Sequence, residues 1–215
     1  MPVAEMSVVD GDTERRILAA AHAVFSRRGT SGARMQEIAA EAGVNHALLH
    51  YYFRSKQQLA ETVFMQAAAS FFPPLMVLLG SDVSLDLKVR QVVEHEIATL
   101  RRTPFLPGYI ISEIAQYPDR VAALISKLGG DGEESPRARG LRRLKADIDA
   151  AVQSGTIRPI SAEQFLVSLV ALCVFPFAAR PMLQAILDLS ETQYAEFIEH
   201  RRTSLADFFL AGLRP

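Results

Sequence analysis

Cysteine is almost missing. The 215 residues contain a single one, Cys173, set inside an apolar run, so an intramolecular disulfide and a multi-cysteine zinc centre are both excluded, and a reducing compartment suits the chain. An excess of either charge is missing too. The 23 Lys plus Arg against 24 Asp plus Glu leave a net charge of -1, so any affinity for nucleic acid has to come from a local basic face. The first thirteen residues carry neither a basic opening nor a continuous apolar stretch of signal-peptide type, so no export is expected and the chain reads as cytoplasmic. No apolar run reaches the roughly 20 residues that a spanning helix needs. The most apolar stretch, Phe165 to Ala179, contains Pro176 and is followed by Arg180 and Pro181; it reads as buried inside the protein or between two copies, with no membrane partner.

Signatures of catalysis are lacking as well. There is no Gly-rich phosphate loop, no HExxH, no nucleophile elbow and no carboxylate-plus-His grouping at helical spacing, so no enzyme activity is expected. The five histidines, His22, His46, His50, His95 and His200, are read as unpaired on any one helix face, so neither a metal site nor a cofactor is expected. Cys173 reads as a small buried hydrophobe rather than a redox sensor.

What is present is helix. Hydrophobic residues make up 49% and charged residues 22%, near globular averages, and the length allows a sizeable core. No segment alternates apolar and polar residues long enough for a half-buried strand, so the fold class expected is all-α. From Asp12 to Arg28, Ile17, Leu18, Ala21, Val24 and Phe25 recur at three- and four-residue steps, and Gly29 to Gly32 break the pattern. Met35 to Ala42 predicts a short helix stopped by Gly43, and Asn45 caps another over His46 to Tyr52. Ser55 and Gln58 have capping-box spacing at the head of a long helix expected to end near Phe72, before Pro73-Pro74. Further helices are expected at about 84–102, 107–116, 118–128 and 136–152, with a loop over 129–135. Ser161/Gln164 and Ser190/Gln193 head two C-terminal helices.

A short helix, a glycine turn and a second short helix, supported by a preceding helix, is the layout of a helix-turn-helix reader of the DNA major groove. Between Arg27 and Lys56 five basic residues face Glu37 and Glu41, an excess of three in a slightly acidic chain. Helical phase assigns Ile38, Ala39, Ala42, Val44, Leu49 and Phe53 to a small core. His46, Ala47, His50 and Tyr51 are left on the outer edge of the second short helix as contacts to phosphates or base edges. Asn45 at its start, Arg34 before the first short helix and Lys56 at the next helix N-terminus complete the candidate DNA-binding set, with Lys56 expected to hold a phosphate.

Residues Glu14 to Gln66 resemble the DNA-binding domain of the TetR (tetracycline-repressor-like) transcriptional regulators. The resemblance rests on Arg16-Ile17-Leu18-Ala19-Ala20-Ala21, Phe25, Gly29, Ile38-Ala39, Ala42-Gly43-Val44, Leu49, Tyr51-Tyr52-Phe53, Ser55-Lys56 and Leu59. It implies a homodimer on a near-palindromic DNA operator, usually a repressor released by a small-molecule effector, with the remaining helices dimerising and receiving that ligand. Two positions depart from the pattern. Ala33-Arg34 stands where many relatives carry a capping hydroxyl, and His50 replaces a common tyrosine. The division expected is a flexible N-terminus over 1–11, a helix-turn-helix domain over 12–56 and a ligand-binding and dimerisation domain over 57–215.

A ligand cavity in the middle helices would be largely apolar, and Phe71, Phe72, Met76, His95, Phe105, Tyr109, Glu113 and Phe175 are its candidate lining. The basic run Arg137, Arg139, Arg142, Arg143 and Lys145 reads as a solvated face paired with nearby acids. Two rival readings stay open: a helical protein-protein adaptor, and a small-molecule-binding enzyme without DNA binding.

Overall fold

The computed structural model describes residues 4–104, 106–119, 126, 132 and 134–215, with side chains from Gly11 onward. Among the described residues there are ten helices and no strand: α1 (Ala4–Gly32), α2 (Met35–Ala42), α3 (His46–Tyr52), α4 (Lys56–Gly80), α5 (Leu85–Arg102), α6 (Leu106–Gln116), α7 (Pro136–Gln153), α8 (Ala162–Ala178), α9 (Arg180–Leu187) and α10 (Glu191–Ala211). The all-α expectation holds. Most of the helix expected over 118–128, most of the loop after it and Phe105 lie outside the described residues.

The chain divides into two compact units, Met1–Ala68 with Tyr109–Val121, and Ala69–Gly108 with Ala122–Pro215. In the first, the apolar stripe of α1 is buried through Ile17, Leu18, Ala21, Val24 and Phe25. Its helix starts at Ala4, about two turns before Asp12, so the segment read as a loose tail is helical from that point. Gly29, at φ 67° and ψ 163°, breaks the helical geometry where the sequence places a break. Leu59, Val63 and Phe64 of α4 complete this core.

The second unit is built around α5, which packs against both α8 and α10. Val89, Val92, Val93, Ile97 and Leu100 meet Phe165, Leu169, Cys173 and Phe177 of α8 and Ile198, Leu205 and Phe209 of α10 in one buried core. Helix starts follow the sequence: Ser84, Ser135, Ser161 and Ser190 each accept a backbone N–H three residues on, and Ser190 with Gln193 closes a full capping box.

Proline behaves differently from expectation. α4 does not stop at Phe72 but runs through Pro73-Pro74 to Gly80. Proline supplies no N–H at either position, yet Phe71, Leu75 and Leu79, one turn apart, are all buried, and that burial outweighs the backbone loss. By length and composition α4 would also cross a membrane, with a mean hydropathy of 1.6 over its best window. The burial of Leu59, Ala60, Val63, Phe64, Leu75 and Leu79 is that of a core helix. In α8, Pro176 removes the N–H that would bond the Leu172 carbonyl, and Arg201 of α10 supplies the replacement, its Nε and Nη2 donating to that oxygen at 3.2 and 2.9 Å. The short helix α9, absent from the expectation, begins with Pro181 in its first turn and ends at Asp188 in the left-handed region, φ 52°.

α4 and α7 cross at a glycine. A Cβ on Gly140 would lie 2.7 Å from the Met76 carbonyl oxygen, and one on Gly80 would lie 3.1 Å from Gly140 Cα. Gly140→Ala is therefore expected to destabilise the protein by about 1–3 kcal/mol, by forcing two backbones apart, and urea unfolding measures it. The second half of the basic run on α7 forms the solvated paired face expected of it, with Arg142 meeting Glu134, Arg143 meeting Asp147, and Lys145 meeting Asp149 at 3.4 Å, whereas Arg139 donates to the Glu134 carbonyl and Arg137 is half-buried with its Nε unpartnered.

Candidate nucleic-acid interface

The turn between α2 and α3 is held by its own backbone. Gly43 adopts φ 65°, ψ 36°; its N–H donates to Ala40 O at 3.1 Å and that of Val44 to Ala39 O at 3.0 Å, the paired bonds of a Schellman ending. Arg16 of α1 locks the same turn, donating to Ala42 O at 2.6 Å and Gly43 O at 3.2 Å. A Cβ on Gly43 would stand 3.0 Å from that guanidinium, so both the positive φ and the clamp favour glycine. Asn45 then caps α3, its side-chain oxygen accepting from Leu48 N at 2.7 Å.

Burial sorts α3 into two sides. Leu49 is fully buried, as are Ile38, Ala39 and Ala42 of α2 and Phe53 beyond α3, while Val44 is half-buried. His46, Ala47, His50 and Tyr51 are exposed, Tyr51 by 75%. These four therefore share the outer edge that helical phase gives them. The histidines, however, correct the sequence reading: His46 and His50 are a pair, one turn apart on one face, with ring centroids 4.4 Å apart and ring planes at 72°. Their four-residue spacing is visible in the sequence and was the signal that could have found them.

The basic excess resolves into named groups. Arg27 pairs with Glu41 at 2.9 Å and Arg28 with Glu37 at 2.8 Å, so the two acids of α2 are neutralised from the end of α1. The remaining three charges are Arg34, Arg54 and Lys56. Arg34 precedes α2 without forming a side-chain cap, as the departure at Ala33-Arg34 implies, and is exposed. Arg54 is exposed as well, and neither arginine has an acidic partner among the described residues; Arg54 is one of the five basic residues counted in the sequence but not one of the candidate contacts chosen there. Lys56 is half-buried, and its Nζ donates to Ser31 O and Ala33 O, both at 3.1 Å. Two of its three donors thus tie the chain entering α2, so Lys56 also braces the unit.

The candidate ligand-lining residues fall in both units. Tyr109 and Glu113 of α6 belong to the first unit. Tyr109 stacks against Phe25 at 6.4 Å with its hydroxyl donating to Ala60 O at 3.2 Å, and Glu113 is fully buried and accepts from the Thr30 hydroxyl. These contacts fix α6 to the reading unit, since each aromatic or polar group finds its partner there. Phe175 is 52% exposed on α8, so it is a surface residue in one chain. Phe71 is buried, Phe72, Met76 and His95 are half-buried in the second unit, and Phe105 is outside the described residues.

The sequence reading also passed over Glu96, neighbour of His95. Glu96 is fully buried on α5, neither of its carboxylate oxygens has a hydrogen-bond partner, and burial pushes its pKa up to about 8. Buried Cys173 senses it: burial first, then the nearby Glu96 charge, push the thiol up to about 12, consistent with an inert core cysteine. The signal was a charged residue in core phase, three and four residues after Val93 and Val92. Among the described residues no group of three or more His, Cys, Asp or Glu could hold a metal ion.

Comparison with known proteins agrees with this geometry. Residues 17–63 match the family described as bacterial regulatory proteins, tetR family. The chain is 28% identical over 214 residues to the HTH-type transcriptional repressor NicS of Pseudomonas putida, covering 94% of this chain and 92% of that one. Its fold is similar to that of the TetR-family regulator PfmR from Thermus thermophilus (TM-score 0.65, 17% identity, 93% and 100% of the two chains). It is also similar to that of FadR from Bacillus subtilis, solved in complex with stearoyl-CoA (TM-score 0.59, 14% identity, 94% and 100%). A braced α2–turn–α3 unit with an outward polar edge, the match of that same segment to the tetR family of bacterial regulatory proteins and similarity to a repressor over nearly the whole chain lead to one conclusion: residues 17–63 form a tetR-type DNA-binding segment, and the chain is a DNA-binding transcriptional regulator.

Proposed function

We propose that the protein is a homodimeric repressor that leaves a palindromic operator when a small apolar molecule binds its second unit. The observation that carries the reading is the outer edge of α3, exposed over His46, Ala47, His50 and Tyr51 while Leu49 anchors the inner side. His and Tyr at this edge hydrogen-bond base edges or phosphates, and Ala47 permits close approach and touches a thymine methyl. Arg34 and Arg54 take phosphates, Lys56 adds its third donor, and Asn45 serves by holding the first turn of α3 rigid.

Two reading helices must stand about one DNA turn, roughly 34 Å, apart, which requires a second copy. Val167, Ala171 and Phe175 form an exposed stripe along α8, and Phe208 of α10 is 70% exposed, so these helices offer the apolar faces for a four-helix bundle between two chains. Residues 12–56 act as the reading domain and 57–215 as the ligand-binding and dimerising one, with α4 and α6 running from one compact unit into the other. A ligand that favours a conformation with badly spaced reading heads weakens operator binding by the same differential free energy. The stearoyl-CoA complex of FadR gives a precedent for this fold holding a long apolar molecule.

Selection of bound duplexes from a random pool tests the proposal. An enriched palindrome is expected, with affinity falling steeply with salt. Arg34→Ala and Arg54→Ala should each lower the slope of log affinity against log salt by about 1, whereas Tyr51→Ala should lower affinity tenfold or more and relax base preference. No enrichment, or full affinity in all three variants, removes α3 as the reader. Sedimentation separates this reading from an adaptor, which would be a monomer with its apolar face free.

A further inference from the structure

The pairing of His46 and His50 asks for a chemistry of its own. Both imidazoles are exposed, their centroids lie 4.4 Å apart, and neither has a hydrogen bond or ion pair among the described residues. The backbone that carries them is held at both ends: Asn45 caps the first turn, and the Phe53 N–H closes the last on Leu49 O at 2.9 Å. Two imidazoles one helical turn apart on a fixed backbone are the helical half of a zinc-type ligand set, needing only side-chain rotation to place two nitrogens about 2.0–2.1 Å from one ion. A bare stacking contact between the rings would leave those nitrogens to water alone.

We propose that His46 and His50 form a two-point site for a divalent transition metal on the outer edge of α3, and that an ion bound there competes with operator DNA. Imidazole suits Cu²⁺, Ni²⁺ and Zn²⁺, and at a site of two nitrogens with no imposed geometry the order of affinity follows the general one, Cu²⁺ first. No third protein ligand stands close enough among the described residues, so water fills the remaining positions and the ion exchanges freely. Bound metal removes both imidazoles from hydrogen bonding with DNA and adds a hydrated ion to the edge that has to enter the groove. The competition rests on the reading of α3 as the groove helix; the metal site does not.

The two parts are tested separately, with protein free of any affinity tag. Without DNA, Cu²⁺ and Ni²⁺ are titrated by calorimetry, and the Cu²⁺ complex is examined by electron paramagnetic resonance. One ion per chain is expected, with two coordinating nitrogens. Affinity should fall at least tenfold in His46→Ala and in His50→Ala and be retained in His200→Ala. Affinity within twofold of wild type in both α3 variants overturns the site. With the selected duplex, Ni²⁺ at saturation of that site should weaken binding at least tenfold, reversed by chelator. An ion that binds at the pair while DNA affinity stays constant overturns the competition. Failure of α3 as the reader shows independently, as undiminished metal-free DNA binding by Tyr51→Ala.

Discussion

Glu96→Gln is expected to make the protein more stable as the pH rises, by about 4–5 kcal/mol above pH 8. The folded protein holds the Glu96 proton up to about pH 8 because burial penalises the carboxylate, whereas the unfolded chain releases it near the ordinary value of 4.5. Between those values the native state binds one proton more than the unfolded state, so wild-type stability falls by about 1.4 kcal/mol per pH unit. The contribution is fully present below about pH 4.5 and lost by pH 8. Gln has the same shape and no such titration, so the variant should match wild type near pH 4.5 and exceed it progressively above. For a chain of this length the difference at pH 8.5 corresponds to a rise in melting temperature on the order of 10 °C. Thermal unfolding of both proteins at pH 5, 7 and 8.5, at one protein concentration because self-association would add to stability, reads the effect directly. Parallel profiles for the two proteins would show that Glu96 is charged and solvated after all.

Asp147→Ala is the converse case, with an expected loss of about 3–5 kcal/mol. The Lys88 side chain is only 1% exposed; its Nζ donates to Leu79 O at 2.8 Å and to the Asp147 carboxylate, which Arg143 also holds at 3.0 Å. Removing Asp147 leaves a buried ammonium with one carbonyl and no counter-charge, and that desolvation cost is larger than the lost attraction at the surface between Arg143 and Asp147. Lys88→Met should be far milder, because it deletes the charge along with the need for a partner and keeps most of the volume. Urea unfolding of the two variants gives the comparison; equal losses in both would assign the effect to packing rather than to the unpaired charge.

The helix boundaries that were legible in the sequence share a physical cause. A Ser, Asn or Gly acts on donors and carbonyls within three to five residues, so Asn45 over Leu48, Gly43 against Ala39 and Ala40, and Ser190 with Gln193 can be read before any fold is known. The outer edge of α3 was legible for the same reason, since a helix of seven residues with one buried leucine has a single way to face a core. Where prediction failed, remote partners decided. Pro73-Pro74 ends a helix by local rules, but Leu75 and Leu79 find burial beyond them. The carbonyls of Ser31 and Ala33 that take two donors of Lys56 lie more than twenty residues earlier, outside the reach of any local pattern.

The amino-acid order alone thus determined the all-α class, the turn that sets α3 and the identity of the side chains along its edge, because each depends on periodicity or on hydrogen bonds within a turn or two. Only the tertiary structure decided that Tyr109 meets Phe25 and Ala60 and that Glu113 meets Thr30 in the reading unit. It alone showed that Arg201 repairs the carbonyl left open by Pro176, and that Glu96 lies unpartnered among apolar groups. Those outcomes depend on which distant surfaces meet, and the solvation cost or gain of a polar group is set by the far side of that meeting, which no local pattern contains.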